Sequence, residues 1–211
     1  MDAHLRTRNH PSFARLCRET PMLAIYDDHD FGPNDADGNF EGRDLALSSF
    51  TRMWAQALYG TEAIPGIFSS LRLGPLELFL TDGRYHRNVS GDTVLGGEQL
   101  AWLLNGLRKS TAPVKLVASG TTVLAHHPFY HDWESWHRSA PDDLELLLST
   151  IEREDLRLDA AILDHRLPDG DSLDLVVALD RAQVVVSCGG GAAGALRVDS
   201  FVFLFHRIFT I

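Results

Sequence analysis

Apolar runs of strand length alternate with stretches of helical period along this 211-residue chain, and few folds are compatible with that alternation. Leu76-Glu77-Leu78-Phe79-Leu80 is a strand-length run, and 67–73 before it makes a hairpin across Gly74-Pro75. Leu100, Leu103, Leu104 and Leu107 then recur at i, i+3, i+4 and i+7, one face of a helix over 97–109. Val114-Lys115-Leu116-Val117-Ala118-Ser119-Gly120 is again a strand, closed by a glycine turn. Leu144, Leu147, Leu148 and Ile151 mark a further helix from Ser139, with Asp142 completing its cap. Strands alternating with helices predict an α/β, layered domain.

The flanking segments add detail to this plan. Residues 22–26 read as a short buried strand, and the Gly-, Asn-, Asp- and Pro-rich 32–42 as a loop. Leu47, Phe50, Trp54, Ala57 and Leu58 predict a helix over 44–59, ended by Gly60. Residues 126–138 are aromatic, His-rich and irregular. Beyond them lie β-like runs at 160–163, 173–179, 183–187 and 201–205, with a small-residue linker over 188–194. Composition changes near residue 155, so 11–155 is expected to be one domain and 156–211 a divergent segment.

Apolar residues make up 45% of the chain, enough for a sizeable core. The net charge of −10 argues against a phosphate-neutralising nucleic-acid surface and suits a cation better. Cys17 and Cys188 are far apart and in no metal-type spacing, so a disulfide stays open and the compartment with it. No apolar run reaches ~18 residues, and the first residues lack the apolar core of a signal peptide. As it stands the chain reads as cytoplasmic, or as lacking its true N-terminus.

The chemistry concentrates in Tyr26-Asp27-Asp28-His29-Asp30-Phe31, directly after the apolar 22–25. Three carboxylates and an imidazole at that density repel unless something neutralises them. A bound cation does so, because carboxylate oxygens and imidazole nitrogen are its ligands. Adjacent residues of a strand point to opposite faces, so one of Asp27 and Asp28 is expected to be a ligand and the other a structural acceptor. A calcium loop on Asp35, Asp37 and Asn39 fails, since Phe40 stands where the sharp turn needs Gly and Ala46 where a bidentate Glu is needed. Arg84 and Arg87 are candidates to hold phosphate oxygens, with Asp82 orienting an arginine; the alternative is a surface ion-pair cluster. His126, His127, His131 and Asp132 match no zinc spacing and read as a polar or substrate-positioning loop. The run 132–136 is expected to pack its two tryptophans over the domain edge.

These residues carry a resemblance. The segment 21–34 resembles the "P-x-x-x-x-W-D-D-H-[DE]-…-N" signature of the PhoD-like alkaline phosphatases, with Tyr26 in place of Trp. In the same order follow Phe79-Leu80-Thr81-Asp82-Gly83-Arg84-Tyr85-His86-Arg87, similar to "L-D-x-R-x-x-R", and 94–103, similar to "M-L-G-x-x-Q-x-x-W-L". Residues 110–117 resemble "S-x-A-x-x-K-V-V", and Asp132-Trp133 with Arg138 a "D-x-W-…-R" loop. The resemblance covers about 11–152.

It implies a partial metallophosphatase-type two-sheet sandwich flanked by helices, a dinuclear metal centre and hydrolysis of a small phosphoester. Calcium, iron, manganese and zinc are the candidate ions. By resemblance Asp28 takes a metal-binding position, His29 that of the catalytic imidazole, Asn34 that of a ligand or its neighbour, and Arg84 a phosphate contact. Asp27, Asp30 and Asp82 take supporting positions. The family's first metal-binding segments have no counterpart before Pro11, and its "S-G-D-x-H" meets only Asp164-His165, which implies a chain truncated at both ends. The alternative is a non-catalytic remnant or binding module, whose incomplete sandwich would expose a sheet face to a second copy or to aggregation. Members of the family are often exported.

Overall fold

The computed structural model describes residues 2–19, 21–121, 123 and 134–154, and beyond these the backbone of four short strands. Two helices lead, α1 (Asp2–Asn9) and α2 (Pro11–Glu19). A helical turn, α3 (Asp28–Phe31), and α4 (Arg43–Met53) follow. The hairpin β1 (Ser69–Leu73) and β2 (Leu76–Leu80) comes next, then α5 (Gly96–Lys109) and β3 (Val114–Ser119). After α6 (Trp136–Ser139) and α7 (Pro141–Arg153) come β4 (Ala160–Asp164), β5 (Val184–Cys188), β6 (Gly194–Val198) and β7 (Phe201–Phe205).

The first five strands form one sheet in chain order, and β6 and β7 form a separate antiparallel pair. β1 runs antiparallel to β2, whereas β2, β3, β4 and β5 are mutually parallel. Parallel neighbours need a crossover, and α5 and α7 supply two of them. The expected α/β layering is therefore present. The hairpin turns at Gly74, whose φ of 58° is open to glycine at little cost, with Leu73 paired to Leu76.

The alternating pleat of β2 and β3 sorts the core onto two sides. Phe79 and Val117 face α5 and α7, where Leu100, Leu103, Leu104, Leu107, Leu144 and Leu147 bury around them. Leu76, Leu78, Leu80, Leu116 and Ala118 face the other way and pack against Leu23, Ile25 and Leu73. A third, aromatic cluster joins Tyr26, Phe31, Phe50 and Trp54, with Phe13 and Met22 against it. Trp54 lies under the Arg8 guanidinium, 4.7 Å from its ring centre, and edge-on to Phe13 at 6.3 Å, which docks the leading helices.

Several sequence expectations are corrected. Residues 22–26 are extended but join no sheet. The Ala24 amide donates to the Gln56 side chain, while Leu23 packs toward the sheet and Met22 and Ala24 toward the aromatic cluster. In place of a ladder partner the segment has a side chain. Helix α4 stops at Met53 instead of running to 59, because the Trp54 carbonyl takes the Tyr59 hydroxyl and its ring stacks on Phe50. β1 begins at Ser69, since Ile67 turns its amide toward Asp82. Helix α7 begins at Pro141, a favoured first helical residue, and Asp142 does not cap Ser139, which ends α6. The runs expected at 160–163, 183–187 and 201–205 are strands, shifted by at most a residue. The run 173–179 and His126, His127, His131, Asp132 and Trp133 lie outside the described residues.

Candidate functional site

The candidate residues gather where the extended segment 22–27 passes the C-terminal ends of β2 and β3. That approach is close: a Cβ on Gly120 would stand 2.7 Å from the Tyr26 carbonyl oxygen, so only glycine fits behind β3.

Asp82, just past β2, holds this corner together. Its Oδ2 accepts from the Tyr26 hydroxyl at 2.6 Å and the Ile67 amide at 2.9 Å. Its Oδ1 accepts from the amides of Arg84 at 3.0 Å and Tyr85 at 2.9 Å. Burial first, and then the Asp82 charge, push the Tyr26 hydroxyl upward, so it stays a neutral donor. Gln99 of α5 closes a reciprocal pair with the Asp82 backbone, accepting from its amide at 2.8 Å and donating to its carbonyl at 2.9 Å. This accounts for the glutamine in the "G-x-x-Q" run. Asp82 was expected to orient an arginine side chain; it orients the arginine's backbone.

The Arg84 guanidinium is fully buried and saturated. Nε donates to Asp27 Oδ1 at 3.0 Å, Nη2 to Glu134 Oε2 at 3.0 Å and Nη1 to the Ala36 carbonyl at 3.3 Å. Nη2 also meets Asp27, and Nη1 meets Glu134. All five N–H groups are thereby engaged. Burial alone would lower its proton affinity, but Glu134 and Asp27 raise it above the ordinary value. Arg84, expected to face a phosphate, faces two carboxylates instead. Arg87 is buried beside it and donates from Nη1 to the Glu134 carbonyl at 3.2 Å.

Asp27, Asp28 and Glu134 converge. One oxygen of each lies within 4.8 Å of the others, the one such acidic group among the described residues. Asp28 is 1% exposed, and its Oδ2 accepts from the Asp35 amide at 3.0 Å, where Asp35 adopts a left-handed φ of 60°. Burial works against the Asp28 charge, yet the Asp35 amide and Arg84 carry its pKa below the ordinary carboxylate value. Asp27 goes the other way: burial raises it despite Arg84, and the Asp28 charge adds to the rise. Asp27 caps α3, and its amide points to Asp30 Oδ2 at 3.5 Å. Burial lifts Asp30 to about 7.

His29 projects outward, its side chain 49% exposed and Nε2 3.7 Å from Asp28 Oδ2. Nε2 also lies 3.2 Å from Asn34 Oδ1. The Asn34 amide nitrogen donates to Asp35 Oδ2 at 2.7 Å, which turns Oδ1 toward the imidazole and places the hydrogen on Nε2. Both oxygens of Asp37 accept from Asn39.

The structure thus gathers Asp27, Asp28, Asp30, His29, Asn34 and Arg84 around one corner, with Asp82 behind it. Glu134 is the addition that sequence reasoning missed. It sits in a run expected to pack its tryptophans over the domain edge; Trp136 lies instead within the core, its indole donating to Thr121. The overlooked signal was an acid two residues before a buried aromatic.

No family model and no curated protein matches the chain. Among solved structures, that of PhoD is similar, with a TM-score of 0.50 at 18% identity. The fold is a partial PhoD-type fold. The match covers 65% of this chain and 33% of that structure, so the chain spans about a third of the PhoD length. At this identity the likeness is one of fold alone.

The donor set itself fits a metal. Three carboxylates offer hard oxygen ligands, suited to calcium, manganese or another hard cation. Against the single Arg84 charge they leave two negative charges, the amount one divalent ion neutralises.

Proposed function

We propose that this chain carries the scaffold and part of the centre of a metal-dependent phosphoester hydrolase of PhoD type, built on residues 11–155. The observation that carries the reading is the convergence of Asp27, Asp28 and Glu134 beside an exposed, oriented imidazole. The PhoD-type fold supports it.

In this reading Asp28 and its two acidic neighbours hold the cation, and Asp35 steadies Asp28 through its amide. A bound divalent ion supplies positive charge to phosphoryl oxygens and lowers the pKa of water. His29 exchanges a proton with an oxygen of the phosphoryl group, and Asn34 holds the ring for that exchange. Arg84 acts from behind as a positioning residue, fixing Asp27 and Glu134. A small phosphomonoester or phosphodiester is the substrate class.

A second reading has its own observation. Arg84 already pairs with two of the three carboxylates, as in a non-catalytic module that keeps the scaffold without the chemistry.

The two are separated by purifying the chain, measuring bound metal, and assaying phosphomonoester and phosphodiester hydrolysis with calcium, iron, manganese or zinc added. The hydrolase reading expects cation-dependent turnover that falls by about 10²-fold or more in His29→Ala. Turnover unchanged in both Asp28→Ala and His29→Ala removes these residues from the mechanism, and no turnover with any ion favours the module.

A further inference from the structure

We propose that Arg84 is the built-in counter-charge of the carboxylate cluster and that it limits the site to a single divalent cation. This rests on the reading that the cluster holds a metal, and it departs from the two-ion centre implied by the sequence resemblance.

The geometry carries it. Arg84 is fully buried, engages all five donors and bridges Asp27 to Glu134, so it has no free N–H to offer. Its charge sits permanently where a second ion would otherwise balance Asp27 and Glu134. With Arg84 in place, the three carboxylates keep a charge of −2, which one divalent ion cancels. A second divalent ion would leave a net +2 in a largely buried setting, where unpaired charge is expensive. Arg87, buried alongside, adds a further positive charge, and Asp35, which feels it, a further negative one. The tally near the cluster is unchanged.

The test uses Mn²⁺ as the probe and counts bound ions from the loss of the free-ion electron-paramagnetic signal, with thermal melts alongside. Wild type is expected to bind one Mn²⁺ saturably. Arg84→Met, which keeps bulk and removes charge, is expected to take up a second Mn²⁺ or to bind the first at least tenfold more tightly. It should melt lower than wild type without metal, with a deficit that shrinks as Mn²⁺ is added. Arg84→Lys keeps the charge and should keep a stoichiometry of one. Should Arg84→Met not fold, Glu134→Gln serves: one carboxylate charge fewer beside an unchanged Arg84 predicts at least tenfold weaker binding. Two ions on wild type would overturn the proposal while leaving the metal reading intact. Unchanged affinity and stoichiometry in Arg84→Met, or unchanged affinity in Glu134→Gln, would also overturn it. No saturable Mn²⁺ on wild type, with Asp28→Ala indistinguishable from it, would remove the metal reading itself and this inference with it.

Discussion

Asp82 and Asp30 show how differently two buried carboxyl groups serve one corner. Asp82 accepts four hydrogen bonds, three of them from backbone amides. Replacing it with Ala strands those donors without water, and a loss of about 3–5 kcal/mol is expected in denaturant unfolding. Asp82→Asn keeps the shape and should lose less. Asp30 is held at about 7 against an ordinary 3.8, chiefly by burial. Between pH ~4 and 7 the folded chain therefore keeps a proton that the unfolded chain has released, and stability falls as pH rises through that window. The cost is complete above pH 7. In metal-free buffer, Asp30→Asn should be more stable than wild type at pH 8, by on the order of 1–4 kcal/mol, and the difference should shrink toward pH 5. Equal stability of the two proteins at both pH values would show that Asp30 is ionised throughout. At this scale the sequence marked most of the corner, because Asp27, Asp28, His29 and Arg84 lie in dense polar runs. Glu134 did not stand out, since the partners of its carboxylate are 50 and more positions away.

Among the elements, those with an unbroken period were the most legible. Four leucines at helical spacing defined α5 to within a residue, and β2 and β3 stood out as apolar runs. Legibility failed where a side chain did a backbone's work, as Gln56 does for Ala24 and Asp82 does for Ile67. The helices α1 and α2 were not foreseen; α1 is polar, and α2 rests on Phe13 meeting Trp54, a long-range contact no local period reveals. Gly106 shows how packing can overrule propensity. An alanine inside α5 would ordinarily gain about 1 kcal/mol. Here its Cβ would fall 2.6 Å from Phe79 Cε1, and Phe79 is 1% exposed against Trp102. Overpacking of that kind costs about 1–3 kcal/mol. Gly106→Ala should therefore leave the melting temperature unchanged or lower it by several degrees; a clear rise would show that Phe79 moves aside.

For the whole molecule, the alternation of strand and helix was enough to predict a layered α/β fold, and two parallel crossovers realise it. Strand order and register could not be read from the chain, because they follow from which faces bury together. The side of the sheet opposite α5 is a case in point. There Leu78 and Ala118 are buried, with Leu23 and Ile25 against them. A segment with no ladder of its own thus stands in as a layer. The corner it leads into is tied to the sheet and to α5 by the reciprocal pair between Gln99 and the Asp82 backbone. That pair has a consequence for amide exchange. The amides of Ile67, Asp82, Arg84 and Tyr85 lie outside regular secondary structure, where exchange with deuterated water is ordinarily quick. All four are buried, three donating to the Asp82 carboxylate and the Asp82 amide to Gln99 of α5, so none is released unless the corner opens. They should exchange as slowly as the centres of β2 and β3, making a loop corner report the global opening of the fold.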